Sequence, residues 1–176
     1  MPDTTCHMSI SLDGFVAGPD QSREDPLGRR GRELHGWHIG DPRANDADKI
    51  ANEWLMRPRG AYVMGRNMFG PIRGDWGKDW SGWWGPEPPY HAPVFVLTHY
   101  RHDPIQLDGG TTFHFITEGF DTAYSAACGA AGDNGVDIAG WGLDRPAGTG
   151  GRGDRRTHPR HRAHPARFGR AHLRWG

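Results

Sequence analysis

Residues 62–69 read "YVMGRNMF", which has the form of a strand, a glycine, a polar turn and the start of a helix. The chemistry such a stretch can do is anion binding. A glycine at a strand end lets a backbone N–H come close to a phosphate, and a helix N-terminus favours the negative charge. Arg66 beside Gly65 adds a planar cation suited to phosphate oxygens. Taken alone, the same letters also make an ordinary structural turn. Asp13, in "SLDGF", has two readings as well. Asp-Gly pairs make turns, or the carboxylate stands at the mouth of the first strand and faces a cleft. Trp76, Trp80, Trp83 and Trp84 either stack a flat heterocycle or cover a thin core, and covering is the preferred reading.

Those residues need a scaffold, and the pattern along the chain supplies one. "TTCHMSI" predicts a strand over about residues 4–10, followed by the turn signal "LDG". "VAGPDQSREDPLGRRG" predicts a long surface loop. "NDADKIANEWLM" opens on a capping residue type and sets Ala47, Ile50, Ala51, Trp54 and Leu55 on one face, predicting a helix over about 46–57. "AYVMG" is a short buried strand. The Gly-, Pro- and Trp-rich stretch after it is mostly loop, with one helical turn at its start. "VFVLTH" (94–99) is a continuous apolar run, as in a strand buried on both faces, and "TTFHFIT" is the next strand. Phe120, Tyr124, Ala127, Cys128 and Ala131 line one side of a helix, and "GVDIAG" is a last strand ending in Gly140. Strands alternating with helices predict an α/β fold with a central, mostly parallel sheet.

Composition divides the chain in two. Residues 1–140 carry 19 acids against 12 lysines and arginines, whereas residues 141–176 carry 9 arginines against 2 aspartates. The formal net charge of +0 is therefore a cancellation between an acidic domain and a basic tail. Of the 27 Leu, Ile, Val and Phe residues, three lie after residue 140, too few for the tail to order itself. Cys6 and Cys128 lack disulfide-framework or metal-ligand spacing and read as buried thiols in a reducing compartment, so a cytoplasmic location is expected. No leader-like start and no long apolar run occur, so neither a signal peptide nor a membrane partner is expected.

"MSISLDGFVAGPD", "AYVMGRNMFGPIRG", "WSGWWGPEPPYHAPVFVLTH", "GGTTFHFITEG" and "VDIAG" occur in that order. Together they resemble the bacterial dihydrofolate-reductase-like family, related to the reductase (C-terminal) domain of the bifunctional riboflavin-biosynthesis enzyme. The resemblance covers about residues 4–140. It implies a dihydrofolate-reductase-like three-layer fold, NADPH as cofactor, and reduction of a pterin- or pyrimidine-like ring or another small electrophile. It implies a homodimer for the intact family member. Gly65, Arg66, Asn67 and Met68 stand where the family's phosphate turn lies, with Met68 in place of a hydroxyl residue. Leu97, Thr98 and His99 stand at the strand end that takes the adenosine half. Val16 and Ala17 fall in the loop over the nicotinamide, and Asp13 at the substrate side. Glu33 is the nearest candidate for an acid on the first helix, by a poor local match that argues against folate as substrate.

After "VDIAG" the family continues with a second glycine, a phosphate turn at Gly140, a helix and two strands. This chain instead runs into Trp141 and arginine-rich text. Read one base out of phase from about Gly140, with the outer codon bases set by the residues and the middle base free, residues 141–176 yield family-like text that includes "DEL" and "LGSG". The expectation is an incomplete reductase domain over 1–140, lacking its C-terminal helix and strands, followed by a disordered, out-of-frame tail and impaired activity. The alternative is an α/β binding module whose basic tail grips nucleic acid. Only two lysines in the whole chain fit a misread gene better, so a nucleic-acid partner is not expected. His158, His161 and His164 are spaced by three, but Pro159 and Pro165 deny them a helix face, so no metal is expected. Nucleotide sequencing across codons 135–145 should show that a one-base change opens a frame encoding "DEL" and "LGSG". An early stop in that frame, or different text, refutes the out-of-frame reading.

Overall fold

The computed structural model describes residues 3–39, 45–70, 74–76 and 80–139. Gly140 and the tail, with every expectation placed on them, lie outside the described residues. In chain order the elements are β1 (Thr4–His7), a 3-10 turn at Gly31–His35, α1 (Gly36–Ile39), α2 (Asp46–Leu55), β2 (Ala61–Gly65), α3 (Arg66–Phe69), β3 (Pro93–Leu97), β4 (Ile105–Gln106), β5 (Thr112–Ile116), α4 (Phe120–Ala131) and β6 (Val136–Ala139).

The six strands form one sheet in the order β1-β6-β2-β3-β5-β4. All neighbours are parallel except β4, which runs antiparallel to β5 at the edge. The α/β class and the mostly parallel sheet are as expected. Registers align His7 with Ala139, Met64 with Ala139, Gly65 with Leu97, and Leu97 with Ile116. The C-terminal ends of five strands therefore lie level along one edge.

Alternation along the strands builds two cores, one on each face. Ala61, Val63, Phe95 and Val136 meet α4 through Ala123, Ala127 and Ala131. Tyr62, Met64, Val94, Val96 and Phe113 face the other way, against Phe69 of α3 and a covering of Trp76, Trp80 and Tyr90. The preferred reading of these two indoles holds: Trp80 Nε1 donates to the Phe69 carbonyl at 3.0 Å and Trp76 Nε1 to the Tyr100 carbonyl at 2.9 Å.

Several boundaries and faces differ from expectation. β1 ends at His7, because Ser11 and Phe15 close a turn, with Ser11 N–H donating to the Phe15 carbonyl at 2.8 Å. The buried row of α4 is Ala123, Ala127 and Ala131, and Phe120 lies at its margin, stacked on Tyr124 at 5.7 Å. Small residues let the helix come close to the sheet, so the large ones are displaced to the rim. α2 forms with Asn45 as its cap, whose side chain accepts from Asp48 N–H at 2.8 Å. It buries no residue, and Ile50 and Trp54 stay 47% and 45% exposed, because α2 packs against α1 and not against the sheet. β4 carries no sequence signal at two residues long. Both cysteines are half-buried free thiols.

The expected surface loop is folded on itself. Gly18 N–H donates to the Leu27 carbonyl and Arg29 N–H to the Pro19 carbonyl, both at 2.8 Å. A Cβ at Gly18 would run into the Arg29 carbonyl, and one at Gly28 into that of Gly18, so two backbones cross where no side chain fits. Leu27 and Leu34 are buried beneath this crossing.

Phe113, 1% exposed and in edge contact with Phe69 and Tyr90, anchors the aromatic core. Phe113→Ala is expected to lower the unfolding free energy by about 3–5 kcal/mol in urea titration. Trp54→Ser on α2 is expected to stay within about 0.5 kcal/mol of the parent.

Candidate functional site

The level edge of strand C-termini is where ligands bind in open parallel sheets. At its middle β2 ends in Gly65, which caps α3 in an extended conformation, φ −78°. A Cβ at Gly65 would meet nothing within 4 Å. Neither its backbone conformation nor packing among the described residues requires glycine there. Arg66 follows, half-buried, its guanidinium carbon 3.8 Å from the centre of the Trp76 ring and 4.8 Å from that of Tyr100. Its Nη1 makes a long contact of 3.5 Å with Thr98 Oγ1. Two rings and a hydroxyl thus fix the cation at the junction of β2 and β3.

Thr98 itself is buried. Its N–H donates to the Ile116 carbonyl at 3.0 Å, and its hydroxyl accepts from Tyr100 N–H at 3.1 Å. Leu97 turns to the α4 side, and His99 is exposed. Asn67 is exposed, whereas Met68 packs against the aromatic core. An apolar side chain at position 68 is therefore explained by packing. Beside this junction lies an open depression of about 550 Å³ lined by Arg101, His102, Asp103, Phe115, Thr117 and Glu118. The Thr117 hydroxyl and backbone, donating to the Glu118 carboxylate, hold that acid below its ordinary pKa.

The other expected residues lie on the segment after β1. Asp13 is exposed and accepts from Ser11 Oγ at 2.5 Å, within the turn that its Asp-Gly pair suggested. Val16 and Ala17 are half-buried. Glu33 is exposed and grips Arg30 through two bonds of 2.6 and 2.8 Å. The hydrogen bond from Arg30 lowers its pKa, the reverse of what a proton donor needs. The structure thus joins Gly65, Arg66 and Thr98, whereas Glu33 sits in a surface ion pair.

Two groups carried no prior expectation. The first is Asp137, 5% exposed on β6 between β1 and β2. Its Oδ1 accepts from Thr5 Oγ1 at 2.6 Å and lies 3.2 Å from His7 Nδ1. Burial, and after it the Asp137 charge, raise the pKa of both Cys6 and Tyr62. An acid in the otherwise apolar stretch 136–139 was the available signal. The second is His35, buried under the loop crossing, with Nδ1 3.0 Å from His38 Nε2. Burial first, then His38, lower its pKa to about 4, against a smaller rise from a hydrogen bond to the Val16 backbone. Burial also lowers the pKa of His38. Trp37 ties this knot to β1's end, its Nε1 donating to Ser9 Oγ at 2.9 Å.

Fold and site together define an α/β protein whose mostly parallel sheet ends five strands level along one edge, with an open depression beside it. Among the described residues no helix is long and apolar enough to cross a membrane, and no group of three or more His, Cys, Asp or Glu could hold a metal ion. No family model matches the chain, and no curated protein does. Among solved structures it is similar to a protein from Shewanella sp. PV-4 named for riboflavin biosynthesis, at 25% identity and a TM-score of 0.39, over 78% of this chain and 64% of that one. The match thus spans less than two thirds of that neighbour's length.

His35 gives a pH dependence of known sign. Its folded-state pKa lies below the ordinary 6.5, so as pH falls the unfolded chain takes up the proton first. Stability complete above about pH 6.5 is then lost toward pH 4. Urea unfolding at pH 7.5 and pH 5 should differ by on the order of 1–2 kcal/mol from this residue, and His35→Gln should flatten that difference. An unchanged pH dependence in the variant overturns the assignment.

Proposed function

We propose that the described domain is built as an NADPH-dependent reductase acting on a small pterin- or pyrimidine-like ring or another small electrophile. The observation that carries the reading is the Gly65–Arg66 turn at the centre of the crevice. Glycine is used there although its backbone conformation makes no demand for it, and among the described residues no atom lies within 4 Å of where a Cβ would stand. A demand from outside the chain, a phosphate approaching the backbone N–H, accounts for that choice. The motif resemblance over residues 4–140 supports the same reading independently.

NADPH supplies a hydride when bound. The residues that fit its holding are Gly65 and Asn67 through their backbone, and Arg66 as a cation already fixed by Trp76, Tyr100 and Thr98. A fixed cation loses little side-chain entropy on meeting a phosphate. Leu97, Thr98 and His99 would border the adenosine half, next to the depression holding Arg101 and His102. Val16 and Ala17 belong to the nicotinamide side and Asp13 to the substrate side. Glu33, held ionised by Arg30, fits the surface better than the reaction. The out-of-frame reading puts the second phosphate turn at Gly140, outside the described residues, and has it interrupted by Trp141.

Nicotinamide fluorescence titration tests the reading. Arg66→Ala should raise the Kd for NADPH about tenfold or more, since a charge-assisted hydrogen bond contributes roughly 1.5–3 kcal/mol. A frame-restored protein should bind NADPH more tightly than the present chain. Equal affinity of parent and Arg66→Ala removes the turn from the site.

A further inference from the structure

The buried carboxylate of β6 is not used by the cofactor reading. A continuous parallel sheet is normally apolar on both faces, and an ion removed from water costs several kcal/mol unless paired. Asp137 is 5% exposed, and the polar groups facing it come from both neighbouring strands: Thr5 and His7 of β1, and Tyr62 of β2 in the same register. Tyr90 stands behind Tyr62 at 5.0 Å between ring centres. A neutral side chain could satisfy Thr5 alone. A carboxylate beside an imidazole does something further: it accepts Nδ1–H and so fixes which ring nitrogen is left to exchange protons. His7 is the last residue of β1, level with Ala139 at the end of β6, and its side chain is 27% exposed. The dyad thus runs from the sheet interior to the crevice edge.

We infer that His7 and Asp137 form a proton-exchanging dyad, in which His7 Nε2 serves a ring nitrogen or carbonyl oxygen of a bound planar heterocycle and Asp137 is the positioning residue behind it. In a reduction, a hydride from NADPH adds to the carbon of a C=N or C=O bond, and that bond's π pair takes the Nε2 proton of a His7 ring that has first taken up a solvent proton there and so carries both N–H groups. The products are the reduced ligand, NADP⁺ and a neutral imidazole that keeps Nδ1–H on Asp137; a solvent acid then returns a proton to Nε2, so each turnover consumes one proton. The hydride half and the heterocyclic class of the ligand rest on the function proposed above; the dyad does not.

Long-range ¹⁵N–¹H imidazole correlation spectra of the full chain test the dyad directly. His7 should be the Nδ1–H tautomer and should revert toward the Nε2–H form in Asp137→Asn. Adding 6-methylpterin, which needs no NADPH, should shift the His7 Nε2 signal saturably. With NADPH and 6-methyl-7,8-dihydropterin, His7→Gln should slow turnover about 100-fold, the range of general acid catalysis, with the Kd for NADPH within about twofold of the parent. An Nε2–H tautomer in the parent, a His7 signal unmoved by the pterin, or parent-like turnover in His7→Gln each overturns the inference. His7 is partly exposed, so that variant and the parent spectra decide the matter even where Asp137→Asn does not fold. Failure of NADPH to bind the parent sinks the reductase reading instead, and the tautomer measurement still decides the dyad.

Discussion

Val136–Ala139 pairs on one side with Thr4–His7 and on the other with Ala61–Met64, and the rest of the structure depends on that double pairing. Among the described residues β1 has no other strand neighbour, and β6 satisfies its backbone donors and acceptors on the sheet side. The contact joins residues some 130 positions apart in sequence. Loop closure over that length is slow and entropically costly, and it is repaid only when the strand is seated. Once it is seated, β1, β6, β2, β3 and β5 end level along one edge.

The two faces of the sheet solve the packing problem differently. On one, three alanines of α4 bring a helix close to the strands. On the other, Phe69, Phe113, Phe115 and Trp76 pack edge to face at 4.9–5.5 Å. The second arrangement leaves indole and phenol faces at the rim, and Arg66 lies across two of them. Trp76, which packs against the core on that face, thus also helps position the Arg66 cation, together with the more exposed Tyr100. Fold and site are coupled there: Met68 serves packing and Arg66 is seated among the rings, while Asn67 between them is exposed.

Polar groups inside the structure mark a further coupling. Asp137 and His35 are both buried, one in the sheet and one under the glycine crossing. Each is linked by hydrogen bonds to the chain around the end of β1: Asp137 to Thr5 and His7, and His35 to the Val16 backbone. The segment that carries Asp13 is therefore held from both ends by groups whose protonation matters to their bonding.

The sequence alone determined what depends on local pattern. "AYVMG" and "VFVLTH" are apolar without alternation, which only strands buried on both faces tolerate, and the helix of residues 120–131 follows from its periodicity. The turn chemistry at Gly65 and Asp13 was equally local. Tertiary structure decided everything that depends on a partner distant in the chain. The apolar side of α2 read as a core face, yet Ile50 and Trp54 stay about half exposed, because the main contact of α2 among the described residues is with α1. Arg66 read as a cation for phosphate, but its seat between Trp76 and Tyr100 depends on a loop whose course no periodicity reports. Asp137 read as one polar letter in a strand. Only the insertion of β6 beside β1 brings Thr5 and His7 to it, because strand order is set by which buried faces fit together and not by any property of the strands taken singly.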